Sequence, residues 1–315
     1  MSQPSTQASL WPEGKRFAFT VFDDTDHATL ENTKGVYSFL SDCGFRTTKS
    51  VWVMEGDANR GKCIGKSCED SEYLRWILEL QAAGFEIGFH NCTWHGLPRE
   101  EIRSALEKFA KLFGHDPMTA ANHTGVDESI YWGDARLTGW RMHFYNLLTR
   151  FRNRRKYRGH VEGDEFFWGD LCKEHVKYFR NFVFKDIDTL KACPFMPYHD
   201  PLKPYVNYWF ASSDGHDVQT FNHCIGEAEQ DRLEEEGGAC LMYTHFAMGF
   251  SEPRGVNPRF EELMRRLAKK NGWFVPAGVL LDHLLNRNGR RQITSAERRR
   301  LELRWLREKI FVGTT

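Results

Sequence analysis

Apolar blocks separated by polar loops run through this chain, and their periods predict alternating strands and helices. Residues 17–22 are almost all apolar, which predicts a strand buried on both faces, as in a parallel sheet covered by helices. The same pattern predicts further strands at 47–54, 85–89, 118–121, 238–244 and 273–275. Apolar residues at helical spacing predict helices at 29–43, 71–83, 98–113, 260–270, 278–285 and 295–310. This alternation predicts a parallel sheet or a β/α barrel.

One long region interrupts the alternation of strands and helices. Between residues 140 and 223, aromatic residues and a basic run at 150–158 replace the regular pattern. We therefore predict a barrel over residues 16–286 that carries an irregular insertion or lid at about 140–223. Residues 1–15 are predicted to be a flexible N-terminus, and residues 287–315 a basic C-terminal helix.

The composition excludes several classes of protein. Basic and acidic residues are equal in number, 43 of each, so no global charge favours nucleic-acid binding. Residues 1–13 lack the basic and apolar regions of a secretory signal, and no apolar run is long enough to span a membrane. We therefore expect a cytoplasmic protein whose eight cysteines are mostly buried, reduced thiols.

Polar side chains with useful chemistry follow four of the predicted strands. In β/α folds the carboxyl ends of the strands converge on one face, where ligands bind. Separate explanations by helix capping or core packing would have to coincide at all four strand ends, so the joint pattern indicates one site. The four groups are Asp23 with Asp24, His90 with His95, Asn122 with His123, and Thr244 with His245.

These side chains are suited to the hydrolysis of an amide. One carboxylate and two imidazoles form a site for zinc or another first-row divalent ion, with positions left open for water and substrate. Such a metal polarises a carbonyl and activates water. A second Asp beside the metal is placed to take the proton of the water, and His245 is placed to protonate the leaving amine.

The ordered motifs resemble those of the polysaccharide deacetylase (NodB-homology) family. The resemblance covers residues from about 16 to 125 and from 239 to 285. It implies the fold of that family, an α/β fold that is a distorted or incomplete (β/α)7 barrel. The matching segments are Phe22-Asp23-Asp24, Glu86-Ile87-Gly88-Phe89-His90 with His95, and Leu241-Met242-Tyr243-Thr244-His245.

The resemblance also implies roles for individual residues. Asp23 matches the catalytic base of the family, and Asp24 matches a metal ligand. His90 and His95 match the other two ligands of one divalent metal, with Zn²⁺ as the first choice and other first-row ions as alternatives. His245 belongs to the late motif and is the second catalytic residue.

The second motif departs from the family pattern in its spacing. The two histidines of the family are usually four positions apart, whereas His90 and His95 are five apart, so the loop must bulge for both to reach one ion. If His95 points away from the ion, His123 is the substitute third ligand.

The third and fourth motifs depart further. The third motif of the family offers an arginine that orients the base, but the matching strand end carries Asn122 and His123. These two residues are therefore candidates for supporting the base or the substrate. The fourth motif is not recognisable, and Trp209 and Asp214 are the candidates for its place.

The predicted activity is removal of an N-acyl group, such as acetyl, from an amino sugar, with a nucleotide- or lipid-linked polysaccharide precursor as the favoured substrate. One alternative is a hydrolase of small or cyclic amides, like an allantoinase. Another is a non-catalytic module on a degenerate barrel that binds carbohydrate or phosphate. We expect residues 140–223, with Arg154 and Arg155, and the basic C-terminal helix to select a phosphate-bearing substrate. The basic helix could also make peripheral contact with a membrane. No nucleic-acid partner is expected.

Overall fold

The computed structural model describes residues 10–60, 65–253, 255–311 and 313. Seven parallel strands form a closed barrel, because β1 pairs with both β2 and β7. The predicted (β/α)7 barrel is therefore confirmed. The barrel strands are β1 (Phe17–Asp23), β2 (Thr48–Val51), β3 (Glu86–Phe89), β4 (Thr119–Ala120), β5 (Tyr178–Phe184), β6 (Tyr208–Asp214) and β7 (Ala239–Thr244).

Helices cover the outside of the barrel. They are α1 (Leu30–Asp42), α2 (Ser71–Ala82), α3 (Arg99–Phe113), α4 (Trp140–Leu148), α5 (Gly169–His175), α6 (Thr189–Ala192), α7 (Val218–Cys224), α8 (Glu227–Glu236), α9 (Pro258–Ala268), α10 (Ala277–Asn288) and α11 (Ser295–Phe311). Short 3-10 helices lie at Pro12–Gly14, Ala58–Arg60 and Gly133–Arg136. A hairpin of β8 (Ser251–Glu252) and β9 (Gly255–Val256) precedes β10 (Gly272–Phe274), which pairs with the first half of β1.

The register of β1 places its end at the mouth of the barrel. Every residue of β1 is buried, as expected for a parallel strand that is covered on both faces. Asp23, its last residue, pairs with Lys49 of β2 and with Thr244 of β7. The loops that follow these parallel strands therefore start at the same end of the barrel.

The prediction of an irregular insertion at 140–223 was wrong for its second half. β5 and β6 lie within it and are full members of the barrel, and nearly all of their residues are buried. Polar residues such as Arg180 and Ser212 interrupt the apolar pattern of these strands, and this hid them in the sequence. The irregular part is confined to residues before β5, where α4 and α5 are joined by long loops.

Both ends of the described chain pack on the barrel. Residues 1–9 of the predicted flexible N-terminus lie outside the described residues, but Trp11 is buried and its Nε1 donates a hydrogen bond of 3.0 Å to the carbonyl of Gly237. In α11, the apolar face of Leu301, Trp305 and Leu306 is buried against the rest of the protein. Those three side chains are therefore already covered by the barrel. Among the described residues, none of the helices combines the length and the apolar character needed to cross a membrane.

A buried ion pair also fixes α11 to α4. Glu302 is fully buried and accepts hydrogen bonds from Arg141 Nε and from the Oγ1 of Thr138. Removing one partner of a buried pair leaves the other charge uncompensated, which costs about 3–5 kcal/mol.

We therefore expect Glu302→Gln to lower the free energy of unfolding by about 3 kcal/mol. Urea denaturation followed by circular dichroism measures this change. Arg300→Gln, at an exposed position of the same helix, is the matched control and should change stability by less than about 0.5 kcal/mol. Equal stability of the two variants would contradict the importance of the buried pair.

Candidate active site

A cavity of about 400 Å³ opens at the carboxyl ends of the barrel strands. Asp24 and Asp26 enter it from the segment after β1, and His90 enters it after β3. His123 enters it after β4, and His245 after β7. The strand-end groups of four different strands therefore contribute to one site, as parallel barrel geometry requires.

Asp26 lies at the centre of a histidine cluster. Its Oδ2 is 2.9 Å from His90 Nε2, and its Oδ1 is 2.7 Å from His123 Nδ1. His245 Nε2 lies 3.5 Å from the same carboxylate. Burial alone would raise the pKa of the Asp26 carboxyl, but the charge of His90 and the hydrogen bonds of all three histidines outweigh it and hold that pKa well below its ordinary value. The Asp26 carboxylate is therefore ionised at neutral pH.

These residues fit a divalent metal ion. Ligand atoms of Asp26, His90 and His123 all lie within 4.8 Å of one another. One carboxylate and two imidazoles form the mixed oxygen and nitrogen donor set that Zn²⁺ and other first-row ions accept. Asp24, Asp26 and His245 form a second group that meets the same distance limit and shares Asp26. Asp26 is thus common to both arrangements.

The structure places Asp24 beside an arginine instead of in the group of Asp26, His90 and His123. Arg180 of β5 donates two hydrogen bonds to Asp24, Nη1 to Oδ1 at 2.8 Å and Nη2 to Oδ2 at 2.5 Å. His90 Nδ1 is 3.8 Å from Asp24 Oδ1. The predicted ligand set of Asp24, His90 and His95 is therefore not assembled, and Asp24 is instead a carboxylate that Arg180 holds in a fixed orientation.

Asp23, the predicted base, does not line the cavity. Its Oδ2 accepts a hydrogen bond of 2.9 Å from Tyr37 Oη and lies 2.9 Å from Lys49 Nζ. Its Oδ1 accepts a hydrogen bond of 2.8 Å from the backbone N–H of Phe246. Asp24, the first residue after β1, lines the cavity, whereas Asp23 does not. Asp23 is a fully buried carboxylate that is paired with Lys49.

His95 also lies away from the cluster. Its Nε2 accepts a hydrogen bond of 2.7 Å from the backbone N–H of Asp57, and its Nδ1 is 3.4 Å from Arg60 Nη1. After His90 the chain turns at Asn91, which has a positive φ of 52°, and residues 92–95 are not among those that line the cavity. His123, the substitute named in the sequence analysis, takes the position beside Asp26.

His245 is oriented by the backbone of a neighbouring loop. Its Nδ1 lies 2.8 Å from the carbonyl oxygen of His216, so Nδ1 donates and Nε2 faces Asp26. Burial lowers the pKa of His245, but the hydrogen bond to Asp26 and the charges of Asp24 and Asp26 outweigh it and raise the pKa above its ordinary value. The imidazole can therefore carry a proton on Nε2 at the edge of the cluster.

The remaining candidates from the sequence have other surroundings. Asn122 lines the cavity, and its amide both donates to and accepts from the backbone of Ile130 at 2.9 Å, which holds the loop after β4. Trp209 is buried in the core against Phe179. Asp214 lies 2.8 Å from Lys185 Nζ and is not among the residues that line this cavity. The structure therefore brings only Asn122 of these three to the site.

Sequence reasoning missed Asp26 and Arg180. Asp26 follows the strand by three residues, so strand periodicity could not place it, although the run Asp23-Asp24-Thr25-Asp26 offered three carboxylates. Arg180 is a single charge inside the aromatic strand β5, and a charge at a buried position is itself a signal of a partner.

Behind the cluster, Glu128 supports the loop that carries His123. Its Oε1 accepts a hydrogen bond of 3.3 Å from Asn91 Nδ2, and Asn91 Oδ1 accepts one of 2.6 Å from the backbone N–H of His123. Burial raises the pKa of Glu128 to about 8. The carboxyl is therefore mostly protonated in the folded protein at pH 7.

The raised pKa of Glu128 makes stability depend on pH. Above its ordinary pKa of 4.5 the unfolded chain releases the proton that the folded protein keeps until about pH 8. Stability therefore falls as pH rises through this interval, by about 1.4 kcal/mol per pH unit at most. We expect Glu128→Gln to remove this loss of stability. The free energy of unfolding of the variant minus that of wild type should therefore increase from about pH 5 to pH 8, as measured by urea denaturation at each pH. A difference that is constant with pH would contradict the assignment.

Comparison with known proteins gives matches in structure only. No protein-family model matches the chain, and no curated protein matches its sequence. The crystal structure of PuuE allantoinase matches with a TM-score of 0.51 at 14% identity, over 91% of this chain and 98% of that chain. A structure assigned to the polysaccharide deacetylases, from Mycobacterium smegmatis, matches with a TM-score of 0.49 at 12% identity, over 90% of this chain and 96% of that one. At this identity the match to PuuE allantoinase shows a shared fold, the closed seven-stranded β/α barrel described above.

Proposed function

We propose that this protein is a metal-dependent hydrolase that removes an N-acyl group from an amino sugar. The observation that carries the proposal is the group of Asp26, His90 and His123, whose ligand atoms lie within 4.8 Å of one another in a cavity at the barrel mouth. Asp24 and His245 line the same cavity and supply two further groups that can move protons. This combination suits the hydrolysis of an amide.

A divalent ion held by Asp26, His90 and His123 would polarise the amide carbonyl and lower the pKa of water. The residues of the chain supply the proton transfers. Arg180 holds the Asp24 carboxylate in a fixed orientation through two hydrogen bonds, and Asp24 is the base that accepts the proton of the attacking water. His245 donates a proton from Nε2 to the leaving nitrogen, because its Nδ1 is committed to the carbonyl of His216.

The size of the cavity favours a small substrate. A volume of about 400 Å³ is near the lower end of the range for small-molecule pockets, roughly 300–1,000 Å³. It suits a single N-acyl sugar unit better than several units of a polymer. The same observation favours, as a second candidate, a hydrolase of small or cyclic amides. A nucleotide- or lipid-linked sugar fits this volume only when the linked group extends out of the cavity.

The test is turnover by the purified full chain loaded with Zn²⁺. We expect acetate release from N-acetyl amino sugars, lost on chelation and restored by added metal. Ammonia or ring-opened product from cyclic amides alone would favour the second candidate. Hydrolysis of neither class, combined with sugar binding in calorimetry, would overturn the proposal and favour a non-catalytic binding module.

A further inference from the structure

Arg136 is a buried cation in the wall of the active-site cavity. It ends the 3-10 helix Gly133–Arg136, and its side chain is only 3% exposed. Among the described residues, its Nε and Nη2 atoms are buried without a hydrogen-bond partner. Burial lowers the pKa of this guanidinium to about 9, and the nearby charge of Arg180 adds to the effect. Arg136 nevertheless remains charged at neutral pH.

Two tryptophans hold this guanidinium in place. Its Cζ lies 3.2 Å from the ring centroid of Trp132 and 5.2 Å from that of Trp305 on α11. Such stacking fixes the plane of the guanidinium but provides no acceptor for the N–H groups of Nε and Nη2. Unsatisfied donors on a buried charge are costly, so the stacking alone does not account for a charge at this position.

The carboxylates of the cavity are engaged elsewhere. Of the described residues that line it, Asp24 and Asp26 are the acidic ones. Asp24 is paired with Arg180, and Asp26 is surrounded by histidines. Lys309 of α11 lines the same cavity and adds a second positive charge near Arg136. Neither carboxylate among the described residues of the cavity wall is therefore paired with Arg136.

Other arginines near Arg136 differ from it in their position or in their partners. Arg154 and Arg155, which the sequence analysis assigned to phosphate, line a second cavity of about 720 Å³. Arg158 in that cavity is already paired with Asp164 at 3.2 Å. Arg136 differs because it is buried, faces the catalytic cavity and lacks an acidic partner among the described residues.

We propose that Arg136 binds an oxyanion of the substrate, a carboxylate or a phosphate, while the amide lies at the Asp26 cluster. A planar guanidinium with free N–H groups is suited to two parallel hydrogen bonds with either group. The tyrosines Tyr145, Tyr157 and Tyr243 line the same cavity and add apolar ring surface beside it. The inference rests on the proposed hydrolase function for the position of the amide, but anion binding itself can be tested independently.

The first experiment is calorimetric titration of the full chain with inorganic phosphate and, separately, with succinate. Protein with and without Zn²⁺ is compared, so that binding to the metal is distinguished from binding to Arg136. We expect Arg136→Met to weaken the preferred anion by at least about tenfold in both states, because charge-assisted hydrogen bonds are lost. Arg136→Lys should restore part of the affinity, and Arg300→Met, at an exposed position of α11, should leave it unchanged.

The second experiment measures KM and kcat. For an N-acetyl sugar that carries a phosphate or carboxylate, Arg136→Met should raise KM at least about tenfold with little change in kcat, and it should not affect the neutral sugar. Because the variant removes an unpaired buried charge, its Tm should stay equal or rise. If it fails to fold, Arg136→Lys takes its place, with a smaller rise in KM expected.

The outcomes separate this inference from the proposed function. If anion binding depended on Arg136 but no amide were hydrolysed, the anion site would be supported and the proposed hydrolase function would be rejected. If wild type and Arg136→Met had the same KM for the neutral sugar and the same KM for the anionic sugar, the proposed role of Arg136 would be rejected. Equal anion affinity of the two proteins would reject it as well. The anion that binds wild type more tightly distinguishes carboxylate from phosphate.

Discussion

If the proposed function holds, the Asp26→Ala variant is expected to bind no Zn²⁺ at concentrations that load wild type, and its kcat/KM should fall by more than about a hundredfold. Changes around a metal ligand typically cost 10–100-fold, and removal of the ligand itself should cost at least as much. Asp26 is the carboxylate that both His90 and His123 contact, so its loss removes the centre of the donor set. Metal analysis of the purified protein, with a turnover assay on the same samples, measures both effects.

His95→Ala is the matched control for this prediction. His95 is the histidine that the family spacing favoured, but it contacts the backbone of Asp57 and not the cluster. We expect His123→Ala to lose zinc as Asp26→Ala does, while His95→Ala keeps it. The opposite result, zinc lost with His95→Ala and kept with His123→Ala, would restore the ligand set predicted from the sequence.

The second large effect distinguishes the roles of two neighbouring aspartates, Asp23 and Asp24. Asp24→Asn is expected to lower kcat by at least about a hundredfold, the usual scale for a general base, while metal content is kept. Asp23→Asn is expected to lower the free energy of unfolding by about 3–5 kcal/mol, because the fully buried Lys49 loses its partner at 2.9 Å. Its kcat per folded molecule should stay near that of wild type.

Both variants disturb a buried ion pair, so stability alone does not distinguish them. Asp24→Asn also leaves Arg180 with a weaker partner, and some loss of stability is expected there too. The deciding quantity is kcat divided by the fraction of folded, metal-loaded protein. If Asp23→Asn lowered this corrected kcat and Asp24→Asn did not, Asp23 would be the base after all.

The local pattern of apolar and polar residues was sufficient to predict the class of fold. Buried apolar strands such as β1 alternate with amphipathic helices such as α3, and both periods are visible within a few residues. The convergence of strand ends also follows from the parallel arrangement, which is why His90 and His245 could be assigned to one site. β5 and β6 were not predicted, because buried polar residues such as Arg180 and Ser212 interrupt their apolar pattern.

Only the tertiary structure decided which of the clustered side chains meet. Three aspartates follow within four positions at the end of β1, and the pairings with Lys49, Arg180 and the histidines separate them into different surroundings. The partner of Asp24 is 156 residues away along the chain, a distance over which no periodicity gives information. The loops after β3 and β4 likewise determine that His123, and not His95, lies beside Asp26. Strand and helix identity is set by local periods, whereas contacts at the barrel mouth are set by the closure of seven strands.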